Sequence, residues 1–165
     1  MLVSRLDLID VSVLDLYAGS GSFGLECLSR GASSVTFVEA NRGAASVIDR
    51  NLNELGFADR ARVLSTTVLS ATAAAGPVDL AFCDPPYADD PWPDLLPRID
   101  AAALIAHAAR PVELTPEWEE VKRKRYGRAH VVLAVRKAHG ANEPPTVELA
   151  DERPPRGAQT EGPPE

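Results

Sequence analysis

Residues 11–31 confine this chain to a small set of folds. Val11 to Tyr17 is an apolar, β-branched-rich run that reads as a buried strand. Gly19-Ser20-Gly21 follows as a tight turn. Ser22 is set to cap a helix that runs to about Arg30 and stops at Gly31. A strand fed through a glycine turn straight into a helix is the opening half of a βαβ unit. The helix must then fold back onto the strand's own sheet.

The pattern repeats. Ser34 to Glu39 reads as a second strand, and Asn41 as the cap of a longer helix. Ala44, Ala45, Ile48, Leu52 and Leu55 recur at helical spacing before the stop at Gly56. Ala61 to Ser65 is a third strand, followed by a short Ala-rich helix ending near Gly76. Val78 to Cys83 is a fourth. Pro93 to Ala102 reads as a helix and Leu104 to Ala108 as a weaker fifth strand. Trp118 to Tyr126 and Ala129 to Val135 flank Gly127 as an antiparallel hairpin. Alternating strands and helices predict an α/β, doubly wound, mostly parallel sheet, with the terminal hairpin adding an antiparallel edge strand.

Composition divides the 165 residues at about position 138. Residues 138–165 carry three Pro-Pro pairs, little apolar material, six acidic and two basic residues. They read as a disordered tail, leaving one domain over 1–137. The chain's net charge is −7, but without the tail the balance is 15 basic against 18 acidic residues. The basic residues concentrate at Lys122, Arg123, Lys124, Arg125 and Arg128. They form either a phosphate-binding face or a solvated hairpin face.

Cys27 and Cys83 lie in apolar surroundings and in no metal-ligand pattern, so they read as buried thiols in a reducing compartment, with no metal expected. There is no signal peptide and no apolar run of membrane-spanning length. The expectation is a cytoplasmic monomer with no membrane partner. His107, His130 and His139 are scattered, and each reads as structural or solvated.

Two motifs carry the chemistry. Gly19-x-Gly21-x-x-Gly24 has the G-x-G-x-x-G form between a strand and a helix, and Glu39 lies 20 residues beyond Gly19 at a strand end. That layout suits an adenosine cofactor whose ribose hydroxyls meet an acid. Asp15 stands just before the turn. A carboxylate there would repel a pyrophosphate but suits the amino acid part of S-adenosylmethionine. The second motif, Asp84-Pro85-Pro86-Tyr87, follows the fourth strand at its carboxyl end, where open α/β sheets bind ligands. The carboxylate and a backbone carbonyl can accept both hydrogens of an exocyclic amino group. The prolines remove backbone donors, and the tyrosine can stack on a base. Alone, the same tetrapeptide is equally a Pro-Pro turn leaving a strand.

Leu14 to Glu26, with Asp15-Leu16-Tyr17-Ala18-Gly19-Ser20-Gly21 at its centre, together with Phe82 to Tyr87, resembles the RsmD-type 16S rRNA guanine-N2 methyltransferases. Leu28 to Ala32 and Val38-Glu39 agree, and the resemblance covers about Leu2 to Lys137. It implies a class I, Rossmann-like methyltransferase fold that uses S-adenosylmethionine. It places the cofactor against Asp15, Tyr17, Ala18, Gly19, Ser20, Gly21, Glu39, Ala40, Thr66, Thr67 and Asp84. Asp84, Pro85, Pro86 and Tyr87 would hold the target base. The substrate would be ribosomal RNA or a small-subunit particle, reached through the basic residues at 122–125 and Arg128.

The chain departs from the family at Thr66-Thr67, where Asn-Ala or Asp-Ala is usual. It departs again at Ala106 to Arg110, where a Glu-containing sequence is common. The family's amino-terminal hairpin and Arg-rich segment have no counterpart, and only Leu2 to Ile9 matches the end of its first helix. The reaction expected is methyl transfer to guanine N2. The alternatives are adenine-N6 methylation of DNA or RNA, and a non-catalytic remnant that binds S-adenosylmethionine or RNA.

Overall fold

A computed structural model describes residues 3–137 and 147–149. A seven-stranded sheet forms its centre, in the order β4-β3-β2-β5-β6-β8-β7. The strands are β2 (Ser12–Leu16), β3 (Ser34–Val38), β4 (Ala61–Leu64), β5 (Val78–Cys83), β6 (Ala101–Ala108), β7 (Trp118–Tyr126) and β8 (Ala129–Arg136). The first five run parallel, and β8 is antiparallel to both β6 and β7. The hairpin therefore inserts its second strand beside β6 and leaves β7 at the edge. The antiparallel strand is the penultimate one, not the edge strand expected. β8 wins the inner place because Val131 to Ala134 are buried, whereas β7 is mostly exposed and charged.

Helices cover both faces. Val13, Val35, Phe37, Leu80, Phe82 and Ile105 pack beneath α1 (Ser22–Ser29) and α2 (Arg42–Leu55). Leu14, Leu16, Ala81, Cys83 and Leu104 face the other way, toward α3 (Val68–Ala75) and α4 (Trp92–Leu95). Neighbours in sequence thus point to opposite cores, the period of two expected of strands buried on both sides.

Local chemistry sets the ends. Asn41 caps α2, its side-chain oxygen accepting the Ala44 N–H at 3.0 Å, and Gly56 closes it at φ 73°. Ser22 is not the cap of α1 but its first residue. The cap is Gly21, whose φ of 83° is open to glycine at little cost.

The stretch read as a helix to Ala102 is instead α4, then a 3₁₀ turn at Leu96–Arg98, then β6 from Ala101. Pro97 has no N–H to continue an α-helical ladder, and the backbone turns extended at Ile99, with ψ 116°. Ala101 to Ala103 pair with Val78 to Leu80, so burial overrides alanine's helix propensity.

The chain's start forms a strand, not a helix end: β1 (Val3–Leu6) pairs antiparallel with β9 (Val147–Leu149). Three residues of the stretch expected to lack structure are therefore paired; the remainder of 138–165, with His139, lies outside the described residues.

Candidate active site

Strand order reverses at β2. The chain moves from β2 out to β3 and β4, then returns to β5 on the other side. The carboxyl ends of β2 and β5 therefore flank a crevice, where open α/β sheets take their ligands. Asp15, Tyr17 and the glycine turn leave one strand there, and Asp84 leaves the other. The Asp84 N–H reaches the Leu16 carbonyl at 3.4 Å.

The three glycines of the turn act differently. A Cβ at Gly24 would lie 2.2 Å from Phe37 Cε1 and 2.8 Å from Val35 Cγ1, so this glycine lets α1 rest on β3. Gly21 needs its positive φ and is also close to Ile48 and Phe37. A Cβ at Gly19 would meet nothing within 4 Å, which leaves the surface over the turn open. Tyr17, a non-glycine residue at φ 60°, sits in a sparsely populated conformation beside it.

Carboxylates hold the turn. The Gly19 N–H donates to Glu39 Oε2 at 2.8 Å, and the Asn41 N–H donates to Oε1 at 2.8 Å. The Gly24 N–H donates to Asp15 Oδ2 at 3.0 Å. Asp15 is only 1% exposed. Burial pushes its carboxyl from 3.8 up to about 7. The Gly24 amide opposes that rise, and the charges of Asp84 and Glu39 add to it. Its visible task is to tie the first turn of α1 to β2. Phe23, in the same turn, stacks on Phe82 of β5 at 3.9 Å.

A cleft of about 450 Å³ opens beside the turn. Tyr17, Glu39, Ala40, Thr66 and Thr67 line it, so five expected cofactor residues share one wall. Asn41, Val68, Leu69, Pro91 and Asp94 also line it, and the sequence reading gave none of them a place at the cofactor. Asp15, Ala18, Gly19, Ser20, Gly21 and Asp84 do not line it. Asp15 is buried below the turn, the Ala18 N–H is bound to the Val38 carbonyl, and the Ser20 carbonyl accepts from Asn51. Burial pushes the Tyr17 phenol up to about 12, with Cys83 and Asp89 adding to the rise.

Pro86 and Asp89 also line a second, small pocket with Pro85, Tyr87, Trp92 and Arg110. The two share a wall. Tyr87 is 57% exposed at the mouth of the second.

His107 was missed. It lies at the carboxyl end of β6, where its Nδ1 is 2.6 Å from Asp84 Oδ1 and its ring is 6.2 Å from that of Tyr87. The signal was the strand register: β5 and β6 pair at a constant offset, ending at Cys83 and Ala106, so Asp84 and His107 fall side by side. The basic run divides. Residues 122–125 alternate along exposed β7, and Arg123 is committed to Glu120 and to the Val112 carbonyl. Arg125 and Arg128 flank the hairpin turn, at the end of the sheet that carries Asp84.

The family described as conserved hypothetical protein 95 matches residues 3–135. The chain belongs to this family. The RsmD-type resemblance of the motifs holds at the level of relatives too. The chain is 40% identical over 81 residues to ribosomal RNA small subunit methyltransferase D of Escherichia coli K12, across 48% of this chain and 40% of that protein. It is 31% identical over 78 residues to the tRNA1(Val) (adenine(37)-N6)-methyltransferase of Shewanella putrefaciens, across 46% and 33%. The chain spans well under half the length of these two relatives. The solved structure of yhhF from Escherichia coli superposes with a TM-score of 0.73 at 28% identity, covering 80% of this chain and 78% of that one. The architecture is the Rossmann-like methyltransferase fold. Among the described residues, no helix is long and apolar enough to cross a membrane.

Proposed function

We propose that this chain transfers a methyl group from S-adenosylmethionine to the exocyclic N2 of a guanine in ribosomal RNA. The observation that carries the reading is the shared wall. The cleft lined by Tyr17, Glu39 and Thr66 and the pocket beneath Tyr87 both use Pro86. A donor in the cleft and a base laid against the exposed Tyr87 ring would lie on either side of Pro86, two residues from Asp84.

The residues fit the cofactor. The cleft is large enough for a nucleoside, and the open face over Gly19 lets a ligand approach the backbone. Glu39 holds two amides yet keeps lone pairs for ribose hydroxyls. When bound, S-adenosylmethionine supplies an electrophilic methyl group on a sulfonium.

The chain's own residues orient the acceptor. A guanine amino nitrogen is a weak nucleophile because its lone pair is delocalised into the ring. Asp84 and the Pro85 carbonyl accept its two hydrogens and so favour a pyramidal nitrogen. Asp84 or water then takes the proton. The exposed Tyr87 ring stacks on a base that is single-stranded or flipped. Arg125 and Arg128 contact phosphates.

The test is transfer of tritiated methyl to naked 16S RNA, small-subunit particles and DNA, followed by nucleoside mass spectrometry. N2-methylguanosine is expected; no labelled guanine in either RNA substrate would refute the reading. The second reading, adenine-N6 methylation, draws on the likeness to the tRNA adenine-N6 enzyme, and N6-methyladenosine in the same assay would select it.

A further inference from the structure

We propose that His107 is a positioning residue, holding Asp84 Oδ1 so that Oδ2 alone faces one N–H of the acceptor's amino group. The inference rests on the functional reading above and deepens it.

The argument starts from the contact itself. His107 Nδ1 and Asp84 Oδ1 are 2.6 Å apart, within the range of a charge-assisted hydrogen bond. An ionised carboxylate only accepts, so the ring nitrogen must carry the hydrogen. That fixes which nitrogen of the imidazole is protonated. The His107 side chain is 14% exposed and anchored in β6, whose register against β5 aligns it with Asp84. The Asp84 side chain is 40% exposed and leaves a strand end, and the His107 ring that contacts it lies 6.2 Å from the Tyr87 ring. Without a partner, such a carboxylate rotates between rotamers and presents either oxygen. The imidazole removes that freedom.

The consequence is a division of labour. Oδ1 is spent on the protein and Oδ2 is kept for the substrate. Misplacing a reacting group by about 1 Å can cost on the order of 100-fold in rate. The effect should therefore appear in kcat, with cofactor affinity untouched, because His107 is not part of the cleft lined by Glu39 and Thr66.

The experiment compares His107→Phe and His107→Asn with the wild type. Phenylalanine keeps ring volume without an N–H; asparagine keeps an N–H near the Nδ1 position. His107→Phe should lower kcat for methyl transfer about 10- to 100-fold, with S-adenosylmethionine affinity by calorimetry unchanged. His107→Asn should recover most of the loss. A normal kcat in His107→Phe, or no recovery in a folded His107→Asn, would overturn the proposal. The second readout is the ¹⁵N spectrum of the imidazole nitrogens. It should show His107 protonated at Nδ1, with the resonance moving in Asp84→Ala; a ring protonated only at Nε2 would overturn the pairing. If the wild type methylates no RNA or DNA, the functional reading fails, and the imidazole spectrum still decides the pair.

Discussion

Glu39 Oε2 accepts the Gly19 N–H at 2.8 Å, so the carboxylate that follows β3 is bonded to the turn that leaves β2. Its other oxygen accepts the N–H of Asn41, the cap of α2. One side chain joins a strand end, a turn and a helix start while facing the cleft. Glu39→Ala loses both bonds and any bond to a ribose. A hydrogen bond to a charged group is worth about 1.5–3 kcal/mol, so S-adenosylmethionine affinity should fall at least about tenfold. Calorimetric titration with S-adenosylmethionine and S-adenosylhomocysteine measures it. Equal affinity in Glu39→Ala and wild type would remove Glu39 from the cofactor site.

Asp15 gives the fold a pH dependence. Its carboxyl is raised from 3.8 to about 7, chiefly by burial. Between those values the folded chain holds a proton that the unfolded chain has lost. The stabilisation is complete below about pH 4 and is lost as pH rises through 7. Across that window the change is on the order of 4 kcal/mol. Asp15→Asn does not titrate, and its amide oxygen can still accept from Gly24. From pH 5 to pH 8 the wild type should lose about 2–3 kcal/mol more stability than Asp15→Asn. Urea unfolding of both proteins at the two pH values gives the difference. Parallel losses would mean that Asp15 is ionised across the range.

Gly19 and Gly24 separate two roles of one motif. Alanine at Gly24 drives a methyl group into Phe37, which is wholly buried beneath α1. Overpacking of this kind costs about 1–3 kcal/mol, a fall in melting temperature of roughly 3–10 °C. Alanine at Gly19 meets open space and costs only the left-handed backbone penalty of about 1–2 kcal/mol, but it stands where the cofactor would approach. Gly24→Ala should therefore lose more stability, and Gly19→Ala more cofactor affinity per kcal/mol of stability lost. Thermal melts with and without S-adenosylhomocysteine separate them. The reverse ranking would exchange the two roles.

The motifs that local chemistry defines were legible in the sequence. The strand–turn–helix at Val11 to Arg30 and the Asn41 cap follow from residue periodicity and side-chain reach, and both are observed. What depended on neighbours distant in sequence was hidden. His107 gained its partner only through the pairing of β5 with β6. Ala101 to Ala103 favour a helix alone and become a strand because β5 and β8 lie on either side. Asp15 read as a ligand residue, but its oxygen is used by Gly24, nine residues on, because α1 folds back over β2. Val147–Leu149 carried a short apolar alternation inside a Pro-rich, acidic stretch, and pairing with β1 made it a strand.

Asp84 and Tyr87 should fail in different ways. The Asp84 side chain is held by His107 and stands outside the cleft walls, so its removal should leave cofactor binding intact. It is the group placed to accept an amino hydrogen and the departing proton, functions worth about 10²–10⁴ in rate. Asp84→Ala should lower kcat by that order, with unchanged affinity for S-adenosylmethionine. Tyr87 presents an exposed ring outside the cofactor cleft, beside Pro86 and Trp92, and base stacking is worth about 1–3 kcal/mol. Tyr87→Ala should raise KM for RNA roughly 5- to 150-fold while Tyr87→Phe stays near wild type, because the ring and not the hydroxyl does the stacking. Steady-state methylation of 16S RNA, with cofactor affinity measured in parallel, resolves both. An active Asp84→Ala would sink the assignment of the amino-group acceptor. A Tyr87→Phe as poor as Tyr87→Ala would move the role from the ring to the hydroxyl.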